Sequence, residues 1–151
     1  MQLILMRHGE ALAATSTDES RTLSRRGQQQ ALSTARQLLE HYQPDLFVVS
    51  PLLRAQQTRQ AFAQFCPDVP VLSYNGIKPE DDARSALNWL SQQQAQCMVV
   101  VCHMNIVAYM AALLLGEHPE SFALAEARVY EQVAIVPGFS GEIARFFPQE
   151  A

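Results

Sequence analysis

The chain has 151 residues, 48% hydrophobic and 17% charged, which is enough for one ordinary domain spanning 1–151 with its own core and argues against a disordered chain. A formal net charge of −4 excludes the surface-wide positive field that draws proteins to nucleic acid or anionic lipid, so any anion site has to be local. No apolar run approaches the ~20 residues of a membrane helix, and the short apolar start lacks a signal peptide's basic flank, so a soluble, cytoplasmic protein without membrane or nucleic-acid partners is expected.

In chain order, Leu3 to Arg7 reads as a buried first strand, and the polar stretch from Ala13 to Arg21 as a loop. Ser24 is placed to cap a helix that buries Ala31, Leu32, Ala35, Leu38, Leu39 and Tyr42 on one face and stops at Pro44. Leu46 to Val49 is a second buried strand. Ser50-Pro51 then supplies a cap and a first-turn proline for a helix from about Leu52 to Phe65. After a short strand over Val69 to Ser73, Pro79 to Asp82 puts acidic groups in the first turn of a helix reaching Leu90. Cys97 to Cys102 is almost wholly apolar and reads as a central strand. Met104 to Leu115 is a largely buried helix stopped by Gly116, and Arg128 to Val136 pairs antiparallel with Gly141 to Phe147 across Pro137-Gly138. Short apolar runs alternating with amphipathic ones define an α/β chain, with a mostly parallel sheet covered by helices on both faces as a three-layer α/β/α sandwich.

Reactive groups follow three of the expected strands. Arg7-His8-Gly9 follows the first, Ser50 to Arg54 the second, and Cys102-His103-Met104-Asn105 the central one. Ligands of open α/β sheets collect at the carboxyl ends of parallel strands, so these segments are expected to converge on one crevice. Two guanidiniums and two imidazoles suit a phosphoryl group, because arginine's planar donor fork matches phosphate oxygens. His8 is the candidate nucleophile, with a carbonyl on its other ring nitrogen to fix the tautomer. His103 is the candidate electrostatic clamp, and Arg7 and Arg54 hold the equatorial oxygens. Amides at the helix starts near Leu52 and Met104 are further candidates for contact with the anion. Gly9, Arg21 and Met104 are the remaining candidate substrate contacts, Gly9 because a glycine lets backbone approach closely.

Arg7-His8-Gly9, Ser50-Pro51 with Arg54 and Gln57-Thr58, and the later His103 resemble the histidine phosphatase superfamily along essentially the whole chain. Glu10, the short length and the stretch Arg21 to Gly27 are similar to its SixA-type phosphohistidine phosphatases. The resemblance implies a phosphoglycerate mutase-like fold without a large cap insertion, a phospho-His8 intermediate and no metal or organic cofactor. It implies as substrate and partner the phosphorylated histidine of an HPt domain in a bacterial signalling relay. One departure stands out. Many members place an acidic general acid in the loop after the third strand, where this chain reads Ser73 to Ile77 without a carboxylate. Glu80, Asp81, Asp82, Glu10 and Asp18 are the nearby alternatives, and hydrolysis of alkyl esters is in doubt because an alkoxide needs a proton more than imidazole does.

Plainer readings stand beside these. Arg21 is also an ordinary solvent-facing loop arginine, Thr58 a packing residue, Ser50 a cap, and Glu80 to Asp82 partners of a helix dipole. Cys102 beside His103 points to the opposite face of its strand, against a thiol nucleophile or metal pair, and three cysteines without CxxC spacing indicate reduced thiols. His41 and His118 read as solvated helix ends, and Gln28 to Gln30 as a polar helix face. Two rival functions remain: a small-molecule phosphomonoesterase with the same fold and nucleophile, and a module that grips phosphohistidine without hydrolysing it.

Overall fold

Leu3, Ile4, Leu5 and Met6 are all fully buried, as a strand covered on both faces requires. They are the centre of β1 (Gln2–Arg7) in a computed structural model that describes residues 1–14 and 16–150. Thr15, in the stretch expected as loop, and Ala151, the last residue of the expected domain, lie outside the described residues. After β1 come a single 3-10 turn (Asp18–Ser20), α1 (Arg25–Leu39), β2 (Leu46–Val49), α2 (Leu53–Gln60), β3 (Val71–Ser73) and α3 (Ala83–Ser91). The chain continues through β4 (Cys97–Cys102), α4 (Ile106–Leu115), β5 (Ala127–Glu131) and β6 (Gly141–Phe146).

The strands form one sheet in the order β3-β2-β4-β1-β5-β6, parallel from β3 to β1 and antiparallel in the last two pairings. Alternation along each strand divides the core. Leu3, Leu5, Val48, Met98 and Val100 face α3 and α4, where Leu87, Leu90, Ile106 and Met110 meet them. Ile4, Met6, Phe47, Val49, Val99 and Val101 face α1 and α2, where Ala35, Leu38, Ala55 and Phe62 close the other layer. Each large apolar side chain so buried contributes roughly 1.5–3 kcal/mol relative to exposure. The expected three-layer sandwich is therefore the fold, and no large insertion interrupts it among the described residues.

Several boundaries differ from expectation for local reasons. Ser24 does cap α1, its hydroxyl accepting from the Gly27 amide at 3.0 Å. Gln30 and Thr34 share the buried face, however, while Leu32, Leu39 and Tyr42 are only half-buried. Gln30 is thus not part of a solvated face: its side-chain oxygen accepts from the Glu10 amide at 2.9 Å. α2 ends at Gln60, because the chain tightens into three-residue turns that carry Phe62 inward against Phe47, ring centroids 5.1 Å apart. Pro79 to Asp82 precede α3 instead of forming its first turn, and Asp82 is the cap, accepting from the Ser85 amide at 2.8 Å. α4 starts at Ile106, two residues beyond Met104, and ends as expected at Gly116, whose φ of 67° suits a residue without a side chain.

Candidate active site

Strand register builds the site. Arg7 pairs with Cys102, and the His8 amide continues the ladder to the Cys102 carbonyl at 3.0 Å, so His8 and His103 leave neighbouring strand ends side by side. Their rings lie 5.1 Å apart between centroids, tilted by 58°. Val49 pairs with Val101 and the Ser50 amide reaches the Val101 carbonyl at 3.0 Å, which brings the Ser50 hydroxyl to 2.7 Å from His103 Nε2. Arg54 follows on the first turn of α2. A cavity of about 460 Å³ opens at these strand ends, lined among others by Arg7, His8, Asp18, Arg21, Arg54 and Met104.

The local chemistry of His8 is set by its neighbour. Its Nδ1 lies 2.7 Å from the Gly9 carbonyl oxygen, which can only accept, so in the neutral ring Nδ1 carries the proton and the lone pair is left on Nε2. Burial first, then the charges of Arg54, Arg7 and Arg21, push the His8 imidazole down to about 4, although the Gly9 carbonyl works in the opposite direction. His103 is pushed further, to about 2, again by burial first and then by His8 and the same arginines. Both rings are therefore neutral at physiological pH in the absence of an anion. Arg7 is also drawn below its ordinary value by burial, yet a guanidinium in this state remains charged.

Two arginines meet the cavity with different supports. Arg7 Nη1 donates to the Phe122 carbonyl at 2.8 Å. Arg54, only 3% exposed, donates to the Asp18 carbonyl at 2.9 Å and the Asp18 carboxylate at 3.2 Å. The Nε atoms of both, and Nδ1 of His103, are buried without a partner among the described residues. Such a convergence of cationic and unpartnered polar groups is arranged to receive an anion with several oxygens. Arg21 belongs to the same cavity, its Nε held by the Leu12 carbonyl at 2.9 Å. Met104 lines it too, its sulfur accepting from the Phe122 amide.

Packing inside the protein requires a glycine at position 9. A methyl carbon there would stand 2.5 Å from the Gly27 carbonyl oxygen, and one on Gly27 would overlap the Glu10 carbonyl, so the two glycines allow α1 to start against the end of β1. The Gly9 amide is already used, donating to Thr58 Oγ1 at 3.1 Å. The start of α4 is likewise not free for an anion: the Asn105 and Ile106 amides both donate to the Pro79 carbonyl.

Sequence reasoning undervalued three groups. Ser50 is the fully buried partner of His103, not the helix cap, although its hydroxyl also accepts from the Leu52 amide at 3.3 Å. Thr58 ties Gly9 to the Arg54 carbonyl, to which its hydroxyl donates at 2.8 Å. Their one-turn and strand-end spacings are visible in the chain, but their partners depend on register. The third group, the buried pair of Glu126 with Arg128 at 2.6 Å, has no sequence signal of its own.

None of the five carboxylates considered as acids is free. Glu80 accepts from Asn105 Nδ2 at 2.9 Å, Asp81 pairs with Lys78 at 2.8 Å, Asp82 caps α3, and Glu10 binds Ser24 and Arg26. For Asp18, desolvation works upward, but Arg54 and Arg21 outweigh it and hold the carboxyl below its usual range. Among the described residues, no group of three His, Cys, Asp or Glu side chains is placed to hold a metal ion.

An α/β sandwich that gathers two histidines and two arginines at its parallel strand ends defines a protein built to handle phosphoryl groups. A family model for the histidine phosphatase superfamily (branch 1) matches residues 3–78. The phosphohistidine phosphatase SixA homolog of Haemophilus influenzae is 30% identical, over 81% of this chain and 82% of that protein. SixA of Escherichia coli is 29% identical, over 81% and 80%. The solved structure of SixA with tungstate superposes with a TM-score of 0.87 at 24% identity, covering 98% of this chain and 97% of that one. This chain belongs to the histidine phosphatase superfamily.

Proposed function

We propose that the chain is a cytoplasmic phosphohistidine phosphatase that removes phosphate from a histidine-phosphorylated protein, an HPt domain of a bacterial phosphorelay, without metal or organic cofactor. His8 Nε2 attacks phosphorus as the substrate's phosphorus–nitrogen bond breaks, and the departing imidazole takes its proton from solvent water at the mouth of the cavity. Water then attacks phospho-His8, releasing inorganic phosphate and restoring the neutral ring. Arg7 and Arg54 hold the non-bridging oxygens during both steps, with Arg21 at the rim, and Met104 lies against the substrate's imidazole.

The observation that carries this reading is a pair of neutral imidazoles between two arginines, with every nearby carboxylate already engaged. A neutral His8 is nucleophilic at physiological pH. An arriving phosphoryl dianion favours protonation of His103, turning it from a neutral ring into a charged donor. An ester's alkoxide has no free carboxylic acid to protonate it, whereas a phosphoramidate's imidazole leaves readily once protonated. The two SixA relatives' names point to the same substrate class.

The test is phosphate release from a histidine-phosphorylated HPt domain by the native chain, by the native chain with a chelator, and by His8→Ala. Chelator-resistant release, lost by at least about 10³-fold in the variant, is expected. Full activity in His8→Ala defeats the mechanism. Turnover confined to small phosphomonoesters instead assigns the site to that substrate class, and binding without release assigns it to a phosphohistidine-gripping module.

A further inference from the structure

The phosphoryl cavity of about 460 Å³ accommodates a phosphoimidazole but not a protein surface, and a specific protein complex covers roughly 800 Å² on each partner. Beside it lies a larger groove of about 800 Å³, running from the start of α3 along α4 to the Pro137-Gly138 turn. Tyr109, 49% exposed on a largely buried helix, and Leu113 form its apolar floor. Glu80, Asp81, Asp82 and Glu117 stand around it, against Arg84 as the one basic side chain of its lining. Lys78 offsets Asp81, but Asp82 is engaged by the amide and hydroxyl of Ser85 and keeps its charge, and Glu80 accepts from the neutral side-chain amide of Asn105. The groove is therefore apolar below and net negative above.

It is also continuous with the site. Pro79 lines the phosphoryl cavity and Glu80, the next residue, lines the groove. Asn105, two residues after His103, bonds Glu80, and its own amide is held by the Pro79 carbonyl. A macromolecule whose phosphohistidine reaches His8 extends directly over this wall. We infer that the α3/α4 groove docks the phosphorylated substrate protein, receiving the surface next to its phosphohistidine, where apolar side chains are accompanied by lysine or arginine. This rests on the proposed phosphohistidine phosphatase reading. A small phosphoryl compound seated at His8 does not touch the groove, so the two substrate types separate docking from chemistry.

The experiment measures kcat and KM on phosphoramidate and on a histidine-phosphorylated HPt domain for the native chain, Tyr109→Ala, Glu117→Lys and Glu40→Lys. Glu40, exposed at the end of α1 on the opposite layer, receives the same charge change away from the groove. Expected are a KM for the phosphoprotein raised about tenfold in the two groove variants, with phosphoramidate turnover within twofold of native and Glu40→Lys unchanged. Unchanged phosphoprotein KM in both groove variants overturns the docking site while leaving the phosphatase reading intact. An equal rise in Glu40→Lys also overturns it, because net charge then explains the effect. Failure of the native chain on both substrates removes the phosphatase reading itself, and the docking inference with it.

Discussion

Arg7 donates to the carbonyl of Phe122, on a loop fixed by the Glu126–Arg128 pair, whose side chains are 2% and 3% exposed. Arg54 donates to Asp18, on a 3-10 turn whose carboxylate is 58% exposed. The same loop that holds Arg7 accepts further support: the Arg128 guanidinium lies 3.8 Å from the centre of the Phe122 ring and donates to the Ser121 carbonyl, while Ala125 donates its amide to the His8 carbonyl and accepts from Thr34. One arginine is thus part of the core's polar framework. The other is neutralised by a surface carboxylate that an incoming phosphoryl group can rival. Half of the site is set when the protein folds, and half is left responsive to its ligand.

The largest test of that difference removes the buried support. Glu126 accepts from the Ala123 amide at 2.7 Å and from Arg128 at 2.6 Å. Glu126→Ala leaves Arg128 buried with, among the described residues, no carboxylate nearer than that of Glu120 at 3.7 Å. Breaking a buried pair from one side costs about 3–5 kcal/mol, and a urea unfolding curve followed by the fluorescence of Trp89 measures it. Asp18→Asn in the same assay should remain within about 0.5 kcal/mol of native, as exposed positions do. Equal losses in the two variants would erase the distinction between a core-held and a loop-held arginine.

A smaller loss follows from acid. The unfolded chain protonates its histidines near the ordinary value of 6.5, whereas folded His8 does so only near 4 and His103 lower still. Between those values the unfolded chain binds more protons, so stability is fully present above about pH 6.5 and falls as the pH drops toward 4. From pH 6.5 to 5, above the range where carboxylates titrate, each histidine should remove about 1.5 kcal/mol, so roughly 3 kcal/mol in total. His8→Asn should halve that loss. A native chain equally stable at both pH values would mean that the rings are not held neutral between the arginines.

The sheet was legible because β1, β2 and β4 are short runs of buried apolar residues, each followed at once by a polar catalytic-type segment. The order Arg7-His8, Arg54 and His103 was legible for the same reason, since strand ends are where a parallel sheet puts its ligands. Partnerships across the sheet were not. That Ser50 meets His103 follows from a register linking Val49 to Val101, and one residue of slip would turn it away. Gly9 reads as a point of close approach for a ligand because a sequence does not show that Gly27 packs on it. Likewise Asp18, in a polar stretch without periodicity, shows no sign of its partner Arg54, 36 residues away.

The finest test isolates that carboxylate. Arg54 is fixed twice by Asp18, through the main-chain carbonyl at 2.9 Å and the side chain at 3.2 Å. Asp18→Asn keeps the carbonyl and an oxygen of similar shape, so the guanidinium stays oriented while one negative charge leaves the edge of the phosphoryl site. Repulsion between that charge and a bound oxyanion is screened by solvent, because the carboxylate is more than half exposed, and is worth at most about 1 kcal/mol. Inorganic phosphate should therefore inhibit Asp18→Asn at a concentration up to about fivefold lower than native, with a salt dependence that shrinks in step. Weaker inhibition in the variant would show that the carboxylate's hold on Arg54 outweighs its opposition to the ligand, making the loop as much a structural anchor as the framework behind Arg7.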